Sequence, residues 1–303
     1  MNSLTAVGSI AYDSLETPFG RRDRALGGSA VHFALAANLF TDVGVVGVVG
    51  DDFESEAVLT ERGIDTAGIQ RIAGGTTFAW DGRYGFDLNV AETLDTRLGV
   101  FADFDPQLSE AEAASPVLFL GNIQPDVQRS VRRQSKAGLV ALDSMNLWIE
   151  IAKDSLLAAI SEVDCVILND GEARQLTGES TLVKAARAIS QHGPRIVVIK
   201  RGEYGAALFT DEGFFGVPGY PLEEVFDPTG AGDSFAGGFV GYLAATGQTE
   251  PVLEQLRRAV AYGSVVASFN VEEFGTERVQ RLTRDEVEVR VAQFHAMTSF
   301  SLI

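Results

Sequence analysis

Two aspartates stand among four glycines in FDPTGAGDSFAGGF, residues 226–239. The surrounding PLEEVFDPTGAGDSFAGGFVGYLAATG reads as a strand leading through Asp227–Gly232 into a helix that runs to about Leu243. Gly230, Ala231 and Gly232 then fall where the first helical turn leaves backbone N–H groups unpaired. Free donors at the positive end of a helix dipole make an anion site, and small residues let the anion approach the backbone. Asp233 lies inside that first turn, beside the anion. A carboxylate there is badly placed to bind phosphate but well placed to take a proton from an attacking hydroxyl. The combination points to phosphoryl transfer, driven by positioning and charge stabilisation. The alternative is a glycine-rich turn with Asp233 as an acid favouring the helix N-terminus. Gly237, Gly238 and Gly241 suit close helix packing better than ligand contact.

The elements that must hold this turn follow an α/β plan. Strand-like runs (SLTAVGSIA, VGVVGVV, PVLFLGN, LVALDS, VDCVILND, RIVVIKRG) are near-continuously apolar. Helical patterns such as GSAVHFALAANLF, DVQRSVRRQSKA and TLVKAARAISQH separate several of them. Such strands, joined by helices, predict a parallel sheet covered on both faces. One region breaks the rhythm: TTFAWDGRYGFDLNVAETLDTRLGVF, residues 76–101, alternates aromatic and polar side chains and reads as antiparallel strands of a small exposed sheet. The other reading of that region is a decorated edge of the main sheet.

Several classes are excluded. The formal charge of −18 argues against a nucleic-acid partner, and an anion site must supply its own local positive potential. No apolar run is long enough to span a membrane. The N-terminal MNSLTAVGSIAYD lacks the flank and cleavage pattern of a signal peptide. The lone Cys165 has no partner in the chain and reads as a buried, reduced thiol of a cytoplasmic protein. There is no G-x-x-x-x-G-K-[ST] and no G-x-S-x-G, and GSIAYD does not supply a dinucleotide-binding G-x-G-x-x-G.

DPTGAGDSF, Asp227 to Phe235, resembles the C-terminal signature of the PfkB/ribokinase family of carbohydrate kinases at every position, and further landmarks extend the resemblance over essentially the whole chain. The resemblance implies a ribokinase-like three-layer α/β/α domain over residues 1–303, with a mostly parallel sheet. It also implies a small β lid from about residues 14–26 and 74–102. Asp233 would be the base, and the amides around Gly230, Ala231 and Gly232 would form the anion hole. ILNDGEARQL is similar to the N-x-x-E motif: Asn169 would face ATP and Glu172 would hold Mg²⁺, through water. The alternative there is a helix N-cap with first-turn acids. VVIKRGEYGAALF resembles the nucleotide-binding strand and turn, with Gly202 and Gly205 shaping the turn and Lys200 reaching the phosphates; a solvated surface lysine is the other reading. Asp227 and Thr229 match positions used by some members for a monovalent cation such as K⁺, although Asp227 could equally stabilise its own turn.

ALGGSAVHFALAANLF resembles the N-terminal signature, where Gly27 and Gly28 would bring amides close to the acceptor and Asp13 would grip its hydroxyls. A surface-loop aspartate is the alternative for Asp13. His32 stands where the family normally has a substrate-contacting asparagine. It is either a substituted contact or a core histidine. The acceptor expected first is a neutral sugar of ribokinase or fructokinase type, with a nucleoside as the alternative. A non-catalytic ligand-binding protein is a remote third. Arg83 and Arg97 are the only cations of the 76–101 region and lie amid Asp81, Asp87, Glu92 and Asp95, which disfavours an anionic acceptor. Phe78, Trp80, Tyr84 and Phe86 recur at period two, a face for a nucleobase or a sugar, or simply a packing or dimer face. A homodimer is expected by resemblance only.

Overall fold

The structure is a computed structural model that describes residues 2–301. Its strands are β1 (Leu4–Val7), β2 (Ala11–Thr17), β3 (Gly20–Gly27), β4 (Val43–Gly50), β5 (Asp65–Ile72), β6 (Phe78–Tyr84) and β7 (Ala91–Arg97). The chain continues with β8 (Val117–Leu120), β9 (Leu139–Asp143), β10 (Cys165–Asn169), β11 (Ile196–Lys200), β12 (Ala206–Thr210) and β13 (Gly213–Val217). The helices are α1 (Ser29–Ala37), α2 (Glu56–Thr60), α3 (Glu110–Ala113), α4 (Pro125–Gln134), α5 (Asn146–Ile151) and α6 (Lys153–Ile160). The remainder are α7 (Asp170–Thr177), α8 (Leu182–Ser190), α9 (Ala231–Ala245), α10 (Leu253–Asn270), α11 (Glu277–Gln280) and α12 (Arg284–Thr298). Among the described residues no helix is long and apolar enough to cross a membrane.

Nine strands form the main sheet in the order β13-β12-β11-β10-β9-β8-β1-β4-β5. All its pairs are parallel except β11–β12 and β12–β13, so eight of the nine strands run in one direction and only β12 opposes them. Why the strands read as unbroken apolar runs is visible in their alternation. Phe119, Ala141, Ile167 and Val198 face one core with α1, α9 and α10. Leu118, Leu142, Val166 and Val197 face the other with α4, α6, α7 and α8. A helical layer on each side of one sheet is the three-layer architecture expected from the pattern. Phe33 of α1 and Phe119 of β8, both fully buried, stack with centroids 3.7 Å apart. Cys165 is buried in the first of these cores, which pushes its thiol pKa upward.

A second sheet of four strands, in the order β3-β2-β6-β7, lies apart from the first. Its β2–β3 and β6–β7 pairs are antiparallel as the alternation suggests, but the central β2–β6 pair is parallel. The reason is connectivity: β6 arrives after β4 and β5 of the main sheet rather than by a hairpin from β2 or β3. The aromatic face also divides. Phe78 stacks on Phe101, the β6–β7 register shifts between Asp81 and Gly82, and Phe86 falls beyond the end of β6, fully open to solvent. The expected strand before Asp227 is absent as well. Residues 221–226 are irregular, and the Phe226 amide donates instead to the Val271 carbonyl at 2.8 Å, at the end of α10.

α9 is held between α1 and α10 at backbone distance, and small residues make this possible. A Cβ on Gly237 would collide with the Phe33 carbonyl oxygen and lie 2.7 Å from the Ala36 Cβ; one on Gly241 would lie 2.7 Å from Ala37 Cα. On the opposite side Gly238 faces the Gly263 Cα, 3.0 Å from its would-be Cβ. Backbone atoms cannot step aside, so Gly237→Ala should destabilise the fold by about 1–3 kcal/mol through overpacking. Chemical unfolding measures this; an unchanged midpoint would mean that α9 and α1 are not in backbone contact.

Candidate active site

The DPTGAGD turn is tied down from below. Asp227 is fully buried; one carboxylate oxygen takes the Thr229 amide at 2.9 Å and the other takes the Gly275 amide at 2.7 Å. That is the turn-stabilising reading of Asp227; its remaining lone pairs and those of Thr229 are hard-oxygen donors of the kind a monovalent cation uses. Burial raises the Asp227 pKa, against the Gly275 and Thr229 donors. Gly230 caps α9 in the left-handed region at φ 72°, where glycine carries no steric cost. Beyond it the helix begins as expected: Ala231 N–H returns to the Pro228 carbonyl, and Ser234 N–H to Gly230. The Gly232 and Asp233 amides have no acceptor among the described residues, which leaves two donors at the positive end of a 15-residue helix.

Charge gathers around those donors from the ends of three other elements. Lys200, the last residue of β11, donates from Nζ to Asp143 Oδ2 at 2.8 Å, and the same Nζ would lie 2.9 Å from a Cβ on Gly232. The lysine side chain is 16% exposed and that of Asp143 3%, so the pair is buried rather than a solvated surface contact. Burial opposes the ammonium charge, but Asp143, Glu172 and Asp233 together outweigh it and raise the Lys200 pKa. Asp143 ends β9; its Oδ1 takes the Ser144 amide at 2.8 Å, and its carbonyl accepts from Gln128 Nε2 at 2.9 Å. Asn169 and Glu172 form a capping box at the start of α7. Asn169 Oδ1 accepts the Glu172 amide, while the two Glu172 oxygens take the Asn169 amide and its side-chain Nδ2, each at 2.7 Å. Burial, opposed by Lys200 and helped by Asp143, raises the Glu172 pKa to about 7.

Asp233 is partly open to solvent yet surrounded by protein. Burial first and Asp143 second raise its pKa to about 7, with Lys200 pulling it back. A carboxylate poised near neutrality can accept a proton without binding it tightly. Among the described residues no three acidic, imidazole or thiol side chains cluster closely enough to cage a metal ion. Asn169, Glu172 and Asp143 are oxygen donors that fit a magnesium ion held mainly by phosphates and water.

On the other side of the turn, the Asp13 carboxylate lies directly on the Gly27 Cα, where any Cβ would collide with it. Asp13 is 6% exposed, and burial followed by Asp227 and Asp233 raises its pKa to about 8. Gly28 at φ 94° opens α1 against the Ser9 carbonyl and the Ala11 amide. Tyr84 of β6 reaches the same place: its hydroxyl accepts from Thr229 Oγ1 at 3.2 Å, and burial raises its pKa to about 12. Trp80 pairs in register with Asp13, but its indole N–H is held within the small sheet by Thr93 Oγ1 at 3.1 Å. His32 is buried under the turn, with Nδ1 3.0 Å from Asn270 Oδ1 and its ring against Gly230. Gly202 and Gly205 shape the β11–β12 turn at φ 54° and 88°, and Asn89 of the β6–β7 loop approaches Gly202.

The structure therefore brings together Asp13, Gly27, Gly28, His32, Asn169, Glu172, Lys200, Asp227, Thr229 and the first turn of α9. Trp80, Gly202 and Gly205 lie on the rim. Sequence reasoning missed Asp143, Asn270 and the hydrogen-bonding role of Tyr84. Asp143 carried a signal, an aspartate closing the apolar run LVALD at a parallel strand end. Asn270 carried none, because its partners are 36 to 238 residues away in sequence.

Residues 98–281 match the model of the pfkB family carbohydrate kinases. A cytidine kinase of Thermococcus kodakarensis is 32% identical over 269 residues, 85% of this chain and 93% of that one. An ATP-dependent ribose-1-phosphate kinase of Halopiger xanaduensis is 29% identical over 239 residues, 75% of this chain and 76% of that one. The solved nucleoside kinase of Burkholderia thailandensis in complex with inosine superposes with a TM-score of 0.76 at 20% identity, covering 97% of this chain and 98% of that one. That likeness is one of fold: ribokinase-like, with a large mostly parallel sheet between helices and a smaller sheet beside it. With its complete DPTGAGDSF turn, its fold and these relatives together, the chain belongs to the PfkB family of carbohydrate kinases and is a phosphotransferase acting on a sugar or nucleoside.

Proposed function

We propose that this protein is an ATP-dependent nucleoside kinase that phosphorylates the hydroxymethyl group of the ribose. The observation that carries the chemistry is Asp233, poised near pH 7 between Lys200 and the free amides of α9. Asp233 takes the proton of the acceptor hydroxyl as its oxygen bonds to the γ-phosphorus, and the bond from that phosphorus to the bridging oxygen breaks to release ADP. The Gly232 and Asp233 amides and Lys200 face the charge that develops on the phosphoryl oxygens. Magnesium, held through water by Glu172 with Asn169 and Asp143 nearby, would supply further neutralisation of the phosphates. Asp13, its pKa raised to about 8 by burial and by Asp227 and Asp233, can accept from ribose hydroxyls and, in its protonated form, donate to one.

For the acceptor, a nucleoside replaces the neutral sugar expected first. Likeness to the cytidine kinase over most of both chains supports it. A phosphorylated acceptor is disfavoured by the charges of the small sheet. Arg21, Arg22, Arg24, Arg83 and Arg97 each face a carboxylate (Asp23, Glu277, Asp52, Glu16 with Glu92, and Asp81 with Asp95), which leaves no uncommitted guanidinium there for a second phosphate. The small sheet acts as a lid in this reading, since Tyr84, Arg22 and Phe19 touch Thr229, Glu277 and Phe226 across the site. Its exposed Phe86, Val90 and Leu94 favour a homodimer joined through the lids.

Phosphorylation assays with matched panels of nucleosides, free sugars and ribose 1-phosphate test the reading. The highest kcat/KM is expected for a nucleoside; a preference for a free sugar or for ribose 1-phosphate would overturn the acceptor. Asp233→Asn should lower kcat by about 10²–10⁴-fold, the usual worth of a positioned base, with ATP affinity held. Substantial residual turnover would remove Asp233 from that role. The same variant should be more heat-stable than the wild type. A carboxyl raised from 3.8 to about 7 by folding binds its proton more tightly in the folded state. It therefore costs nothing below pH about 4, destabilises increasingly up to about 7 and levels off above. The Tm gain of Asp233→Asn should grow over that window; a gain largest at acid pH would contradict the burial of Asp233.

A further inference from the structure

His32 stands where the resembled N-terminal signature normally has asparagine, and its surroundings assign it a task. Asn270 Nδ2 donates to the Thr229 carbonyl at 2.7 Å, which fixes the orientation of the amide. Its Oδ1 then accepts from Ser234 Oγ at 2.9 Å and lies 3.0 Å from His32 Nδ1. An amide oxygen has no hydrogen to give, so His32 Nδ1 carries the proton and Nε2 is a bare lone pair, buried without a partner among the described residues. The imidazole lies against Gly230 so closely that a Cβ there would overlap the ring. His32, Ser234, Asp227 and Asn270 are all buried, and they come from α1, α9, the turn before it and α10.

We infer that His32 is a positioning residue: through Asn270 and the face of Gly230 it clamps Thr229–Ser234, and so sets the direction of the anion-hole amides and of Asp233. Thr229 is held through its carbonyl, Gly230 through its Cα and Ser234 through its hydroxyl, so the clamp brackets the residues that meet the phosphoryl group. Burial lowers the His32 pKa to about 4 against the Asn270 hydrogen bond, in keeping with a neutral ring that acts as donor and wedge rather than as a charge. The inference rests on the kinase reading of the site for its kinetic consequence but not for its structural one.

Two variants separate the donor from the ring. His32→Phe keeps an aromatic wedge and loses the N–H; His32→Asn puts an N–H where Nδ1 stands and loses the ring. Losing a buried hydrogen bond at the clamp should lower kcat about tenfold in His32→Phe, with the acceptor KM unchanged within about twofold. His32→Asn should recover much of that loss. In the nucleotide-free protein, amide hydrogen exchange over residues 229–236 should quicken in His32→Phe and stay near wild type in His32→Asn. A tenfold rise in acceptor KM at unchanged kcat would make His32 a direct acceptor contact and overturn the clamp. So would wild-type kcat and exchange in His32→Phe. Should that variant fail to fold, Asn270→Ala carries the same test: lower kcat and faster exchange support the clamp, wild-type values of both overturn it. A wild-type protein that phosphorylates no acceptor would fail the kinase reading, while the exchange measurement still decides the clamp.

Discussion

A single ammonium group, Lys200 Nζ, is the charge on which the site depends. It is buried 2.8 Å from Asp143, beside the first turn of α9, with Glu172 and Asp233 facing it. Removing either member of such a pair leaves an uncompensated buried charge, commonly a loss of about 3–5 kcal/mol. The cluster therefore has to be assembled as a whole. A chain with net charge −18 would otherwise repel a polyphosphate, and Lys200 together with the α9 dipole supplies the local exception. Every arginine of the small sheet, by contrast, is paired with a carboxylate.

Topology explains how so few cations suffice. Parallel strands bring the ends of β9, β10 and β11 to one edge, which places Asp143, Asn169 and Lys200 side by side without any long loop. α9 must then be delivered to that edge with its N-terminus forward. Gly237, Gly238 and Gly241 admit it between α1 and α10 at backbone contact, and the Asp227 tie to Gly275 holds the turn that precedes it. The packing glycines and the carboxylate proposed as the base thus sit in one segment for related reasons, since the close helix contact is what aims the turn.

Much of this was legible in the residue order. Apolar runs buried on both faces gave away the parallel sheet, and small residues before Asp233 gave away a helix terminus with free backbone amides. The parts that escaped are those set by pairing across distance. β2 and β6 run parallel because the chain visits the main sheet between them, which local alternation does not encode. Phe78 leaves the expected aromatic face to stack on Phe101, and the bulge at Asp81–Gly82 breaks the period that made the face look continuous. Asp143 and Asn270 look like ordinary strand-end and helix-end polar residues until their partners arrive from other elements. The capping reading of Asn169 and Glu172 and the phosphate-side reading are not rivals in the geometry, because the capping box holds Glu172 against the charge cluster.

The most direct test of the charge cluster is the pH dependence of kcat in Asp143→Asn. Asp143 raises the Asp233 pKa, so neutralising it should let Asp233 ionise more readily and leave Lys200 free to stabilise it. The acid limb of the profile is therefore expected to move to lower pH than in the wild type. A limb that stays in place, or moves to higher pH, would mean that Asp233 does not titrate within this cluster as the base of the reaction.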